Sequence, residues 1–184
     1  MVNPPAAPTP APAAATVPVA ATAPTALEAE LRRLAGAVPD PELPVVTLEE
    51  LGVLRAVRVS GPGSVRVELT PTYTGCPAIE TMSADIEEAL HARGMPEVSV
   101  VTVLSPPWST DDISAEGRRK LAESGIAPPR PQGAAGPVPL SLAIRCPHCG
   151  STDTELLSRF SSTACKALRR CAACREPFDH FKEL

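Results

Sequence analysis

Hydrophobic positions recur every three to four residues at Leu27, Leu31, Leu34 and Val38, with Glu28, Glu30, Arg32 and Arg33 on the other faces. This spacing predicts an amphipathic helix, which Gly36 and Pro39 bring to an end. The period then drops to two. Residues 53–59 and 65–70, the second with Val65, Val67 and Leu69 alternating with Arg66 and Glu68, flank Gly61-Pro62-Gly63 and predict an antiparallel hairpin. Helical spacing returns at Ile79, Met82, Ile86, Ala89 and Leu90 and closes at Gly94. Residues 98–104, rich in β-branched side chains, predict a third strand beside the hairpin, and residues 114–124 a short helix ended by Gly125. The order helix, strand, strand, helix, strand predicts an α+β sandwich, α-β-β-α-β, of about 80 residues, enough for a core of its own.

Composition divides the chain around that core. Residues 1–25 are almost entirely Ala, Pro, Thr and Val, without period or charge, and are expected to form a disordered tail. Residues 26–125 hold the sandwich, residues 126–140 read as a Pro/Gly-rich connector, and residues 141–184 carry five of the six cysteines as a small second domain. The net charge of −4 and an aromatic content of 3% leave neither a basic footprint nor stacking platforms for nucleic acid. No stretch reaches membrane-spanning length, none resembles a signal peptide, and paired cysteine spacings point to metal in a reducing compartment; a soluble cytoplasmic protein is expected.

The sixth cysteine stands in Thr70-Pro71-Thr72-Tyr73-Thr74-Gly75-Cys76-Pro77, where the second strand gives way to the second helix. Pro77 suits a first helical position, so Cys76 lies at or next to the N-cap, where free N–H groups and the helix dipole favour an anion. A reactive or metal-binding thiolate is one reading, and a small buried residue is the other. Asp40-Pro41-Glu42-Leu43-Pro44 is a constrained acidic turn. Asp40 and Glu42 would support Cys76 if the fold brought them to it, and would otherwise be solvated.

Cys146-x-x-Cys149 and Cys171-x-x-Cys174, with 21 residues between them, are two metal knuckles. Four thiolates close a tetrahedron with no open position, as in structural zinc, and a segment of this size with Phe160, Phe178 and Phe181 as its aromatic core needs such a staple. A rubredoxin-like iron centre uses the same donors and is the alternative. Cys165 is left over beside Lys166, as a second candidate thiol or a small buried residue; His148 and His180 are spare metal ligands or, as is commoner for such histidines, face solvent. Seven basic and five acidic side chains, with the two negative charges of a zinc tetrathiolate, leave the ribbon neutral and favour a protein partner over nucleic acid. Trp108, the single tryptophan, packs on the domain edge or anchors a partner.

With the acidic turn, the hairpin, the Cys76 corner and the closing strand in this order, residues of about 30–105 resemble the metal-sulfur cluster assembly domain. Residues 104–120 and the tail from Cys146 through Cys165 to Phe178-Asp179-His180-Phe181-Lys182 extend the likeness to the PaaD/PaaJ-type subunit of the bacterial phenylacetyl-CoA monooxygenase (ring 1,2-epoxidase). The resemblance implies an accessory subunit and not an enzyme. The family's reactive cysteine maps onto Cys76, its acidic turn onto Asp40 and Glu42, and its zinc ligands onto Cys146, Cys149, Cys171 and Cys174. It also implies structural zinc, a transient iron–sulfur cluster, and as partners the other monooxygenase components, above all the iron–sulfur flavin reductase. Ser161, Asp112 and Glu183 stand where the family often has a glycine, a bulky residue and a further cysteine.

Three functions follow. In the first, Cys76, with Cys165 or a partner's cysteine, takes iron or a cluster during maturation of a client, and a homodimer or client complex completes the ligand set, since clusters need about four protein ligands. In the second the chain is a structural and docking subunit of the oxygenase. In the third Cys76 is the nucleophile of a thiol enzyme, although no cysteine–histidine pair is evident.

Overall fold

The computed structural model describes residues 23–73, 75–130 and 143–183. Most of the Ala/Pro-rich tail and residues 131–140 of the expected connector therefore lie outside the described residues.

Helix α1 (Ala26–Gly36) begins at Thr25 with a reciprocal cap: the Thr25 hydroxyl accepts from the Glu28 N–H, and the Glu28 carboxylate accepts from the Thr25 N–H at 2.8 Å. Leu31 and Ala35 carry its buried face, whereas Leu27 in the first turn stays 38% exposed. After the acidic turn comes a four-residue helix, α2 (Leu48–Leu51), too short to leave a period in the sequence; the Thr47 and Glu50 side chains cap it and Gly52 ends it at φ 75°.

Strands β1 (Leu54–Gly61) and β2 (Ser64–Leu69) form the expected antiparallel hairpin. Helix α3 (Ala78–Ala92) then crosses over, so that β3 (Glu97–Thr102) pairs with β2 in parallel and the sheet runs β1-β2-β3. Central β2 buries Val65, Val67 and Leu69 in one core with Leu31 and Ala35 of α1 and Met82, Ile86 and Leu90 of α3. The third strand stops earlier than its β-branched run suggested, and Leu104 is 61% exposed beyond it. A 3-10 turn (Thr110–Asp112) and helix α4 (Ala115–Glu123), the latter capped by Ser114 and followed by Gly125 at φ 79°, complete this part.

The chain does not leave the folded body at residue 126. Ile126–Ala127 form β4, which pairs in parallel with β7 (Pro177–Phe181) of the cysteine-rich part, in a sheet ordered β4-β7-β6-β5 with β5 at Thr154–Ser158 and β6 at Lys166–Cys171. The reading of residues 126–140 as connector is thus corrected at its start: two apolar residues satisfy their backbone groups in a neighbour's edge, which composition does not signal. The two parts also share one core. Phe181 and Cys165 of the ribbon are buried among the α+β residues, and the Phe181 ring lies 5.9 Å from the ring of Trp108. Trp108 is 6% exposed and its Nε1–H donates to the Leu51 carbonyl at 3.0 Å, so its role is internal packing.

The ribbon's own core is small, with Ala127, Cys146, Cys171 and Phe178 buried and Ile144 and Cys174 packed against them. Phe160, expected in that core, is instead 63% exposed under the Lys182 ammonium.

Candidate functional site

The four knuckle cysteines come together. Their sulfurs all lie within 4.8 Å of one another, with Cys146 Sγ 3.7 Å from Cys174 Sγ and Cys149 Sγ 3.5 Å from Cys171 Sγ. Four thiolates at the usual zinc–sulfur distance of about 2.3 Å stand roughly 3.8 Å apart at the corners of a tetrahedron, so these donors fit one zinc ion with little movement. The Cys174 backbone N–H, aimed at its sulfur, lowers the Cys171 thiol, whereas the Glu176 N–H lowers the Cys174 thiol less than desolvation and the neighbouring sulfurs raise it, so the four sulfurs share protons that a bound ion would displace. The fit is by all-cysteine donors without an open position, the chemistry of a structural rather than a catalytic ion.

Cys76 lies at the other site the sequence singled out. It precedes Pro77, which has helical φ and ψ, and the Ala78 N–H at the start of α3 points to its sulfur; Thr74 lies outside the described residues. The expectation that this position eases thiolate formation is not met. Burial pushes the Cys76 thiol up, the Ala78 N–H and the Tyr73 hydroxyl oppose that, and the carboxylates of Glu42 and Asp40 add to it. Tyr73 itself is pushed up to about 12 by burial and by the neighbouring thiols and carboxylate, so its hydroxyl remains a donor at neutral pH.

The fold brings the acidic turn to the cysteine. Asp40, Glu42, Cys76 and Cys165 line one small cavity of about 10 Å³, with Leu43, Val53 and Met82 among its apolar walls. Asp40 is 3% exposed; its Oδ1 accepts from the Glu42 and Leu43 N–H groups at 2.8 and 2.7 Å. Burial nevertheless raises its carboxyl above the usual range against those two bonds, Glu42 raises it further, and Lys166 lowers it. The loop hydrogen bonds therefore hold a carboxylate rigidly at the cavity wall, which a merely solvated turn would not do.

Cys165 is the residue whose place the sequence did not reveal. It is 3% exposed, its Sγ is 3.1 Å from the Thr163 hydroxyl, and burial pushes its thiol up, with Glu42 and Asp40 again adding to the shift. Lys166 opposes the shift but is itself held by Asp179 at 3.0 Å, so its adjacency does not make Cys165 a ready thiolate. The histidines lie elsewhere. His148 packs beside Gly125, and His180, expected to face solvent, is 8% exposed, with its imidazole held down to about 4 by burial and by Arg169 and Arg130.

The two parts of the fold each match a described family: "Iron-sulfur cluster assembly protein" over residues 28–105 and "PaaD zinc beta ribbon domain" over residues 132–182. Fold and sites thus define an iron–sulfur assembly domain joined to a zinc ribbon. The chain is 46% identical over 153 residues, 83% of its length and 91% of the relative's, to a protein of Escherichia coli (strain K12) described as a subunit of a "Putative 1,2-phenylacetyl-CoA epoxidase". It belongs with that relative to the PaaD family. It is also 30% identical over 95 residues, 51% of this chain and 90% of the relative, to the "Fe-S protein maturation auxiliary factor" of Porphyromonas gingivalis (strain ATCC BAA-308 / W83). A crystal structure of a domain of unknown function, DUF59, from Bacillus anthracis is 28% identical, covers 52% of this chain and 92% of its own, and superposes with a TM-score of 0.48. Among the described residues no helix is long and apolar enough to cross a membrane.

Proposed function

We infer that this chain is an accessory subunit of a phenylacetyl-CoA monooxygenase (epoxidase) in aerobic phenylacetate degradation, serving the maturation of its iron–sulfur component. It performs no turnover of its own. The observation that carries this reading is the cavity where the buried, hydrogen-bonded Asp40, Glu42 and the thiol of Cys76 converge at the start of α3. The names of its relatives agree: one is an epoxidase subunit and the other an iron–sulfur maturation factor. A thiol enzyme would need a base for Cys76, and among the described residues no histidine lines its cavity, while His91 lies in the last turn of α3.

In this reading Cys146, Cys149, Cys171 and Cys174 hold structural zinc, which closes the ribbon and contributes no reactive position. The client is the iron–sulfur flavin reductase of the same system, and the work is done in the cytoplasm. A cluster needs about four protein ligands, so one passing through this site draws others from the client or from a second copy of this chain.

Co-expression of the client reductase with wild type or with Cys76→Ser tests the proposal. Iron and acid-labile sulfide per reductase should fall at least about three-fold with the variant, a change of roughly 0.7 kcal/mol or more in loading. Equal loading would leave the chain as a docking subunit. That second reading has one observation in its favour: Leu156, Leu157 and Phe160, on and beside the ribbon's edge strand β5, are all exposed.

A further inference from the structure

Cys165 is chemically apart from the cysteines around it in sequence. The four knuckle thiols gather in the ribbon's own small core, whereas Cys165 is buried in the core of the α+β part and lines the Cys76 cavity. Three other groups locate it relative to Cys76. The Glu42 and Asp40 carboxylates act on both thiols, and the Tyr73 hydroxyl senses both. The β4–β7 pairing, the Trp108–Phe181 contact and the Lys182 N–H donating to the Cys165 carbonyl at 2.9 Å hold the strand ends that carry it against the α+β part.

We propose that Cys76 and Cys165 act as a pair, one thiol from each part of the chain, and that with the Asp40 and Glu42 carboxylates they take a single divalent thiophilic ion, ferrous iron, as cargo. This rests on the maturation reading and specifies what the site carries. Two sulfurs with carboxylate oxygens favour a borderline-soft ion such as iron over magnesium or calcium. A cavity of about 10 Å³ has the room of roughly one water, which suits a single ion held by this chain alone. Among the described residues only the ribbon cysteines bring three or more such ligand atoms all within 4.8 Å of one another. The two thiols and two carboxylates of the cavity must therefore draw in around the ion as a set, and a site that is not preorganised binds more weakly than the zinc cage and can release what it takes. Binding replaces two S–H bonds with two sulfur–metal bonds and releases two protons, and no electron is transferred.

The full-length, reduced chain carrying one zinc is titrated anaerobically with Fe2+ alone, and bound iron and zinc are counted after gel filtration; a parallel titration uses Co2+, whose thiolate-to-cobalt absorption scales with the number of sulfur ligands. The expected result is about one iron beyond the zinc. The wild-type cobalt band should have two-sulfur intensity, and Cys76→Ser and Cys165→Ser should each lose about ten-fold or more in iron affinity with zinc retained. A one-sulfur band in the wild type, or iron binding by Cys165→Ser equal to wild type, overturns the pair. The wild-type band decides even where Cys165→Ser fails to fold. The two failures can be told apart. If Cys76→Ser alone lowers cluster loading of the reductase and Cys165→Ser binds iron normally, the pair falls and maturation stands. If both variants lose iron while the reductase loads fully, the ion site stands and maturation falls.

Discussion

Asp40, His180 and Gly52 show how much a single side chain depends on its surroundings here. Asp40 is a carboxylate kept at a cavity wall by two loop N–H groups, and the departures from family pattern also have partners: Asp112 pairs with Arg55 at 3.0 Å and caps the Ser109 N–H at 2.9 Å, the Ser161 hydroxyl donates to Asp179, and Glu183 lies 3.7 Å from Arg130. His180, whose imidazole ordinarily titrates near 6.5 and here near 4, is neutral in the folded state and must be protonated in the unfolded one as pH falls. A depressed value contributes stability above 6.5 that is lost as pH drops towards 4, about 3 kcal/mol at the limit. Urea unfolding at pH 7 and pH 4.5 should show a smaller loss for His180→Gln than for wild type. At Gly52 a Cβ would come 2.4 Å from the Asp112 carbonyl oxygen, at a φ of 75°. Gly52→Ala should therefore cost about 2 kcal/mol or more, and a change below about 0.5 kcal/mol in the same assay would contradict that packing.

At the scale of elements, α3 places Cys76 and the β4–β7 pair fixes the ribbon against the α+β part. That pairing is short, since β4 has two residues, so the side-chain contact next to it matters. Trp108 fills it, touching Phe181 and giving its N–H to the Leu51 carbonyl. Trp108→Ala removes a buried aromatic and leaves that acceptor unpaired, with an expected loss of about 3–5 kcal/mol. The same variant should expose Cys165 to iodoacetamide at least about ten-fold faster than in wild type, because a local opening of the interface becomes cheaper by that amount or more. Unchanged labelling of Cys165 would mean that β7 is held by the ribbon alone.

Over the whole molecule, the zinc cage and the thiol cavity are linked through β6 and β7. Cys171 ends β6 just as Lys166, next to Cys165, begins it, and Phe181 ends β7 in the shared core. With so small a core of its own, the ribbon should unfold when zinc is chelated, and the loss should reach the cavity. Hydrogen exchange after treatment with a strong chelator should then quicken in residues 165–182 and at β4, while β2 and α3 keep their protection. Protection retained throughout the ribbon would show that the sheet stands without its metal.

Alternation and helical period, read from the chain alone, determined the hairpin, both main helices and the order of the α+β part, because those patterns express which faces are buried. The knuckle spacings likewise determined a four-thiol cluster, since each Cys-x-x-Cys turn brings its own two sulfurs together locally. What only the tertiary structure decided are contacts between residues far apart in sequence: the acidic turn against Cys76, Cys165 in the same cavity, β4 in the ribbon's sheet, Phe181 on Trp108 and the burial of His180. The sign of the thiol shift belongs with them. A helix start favours a thiolate, but burial beside two carboxylates outweighs it, and burial is a property of the packed molecule rather than of the corner that carries the cysteine.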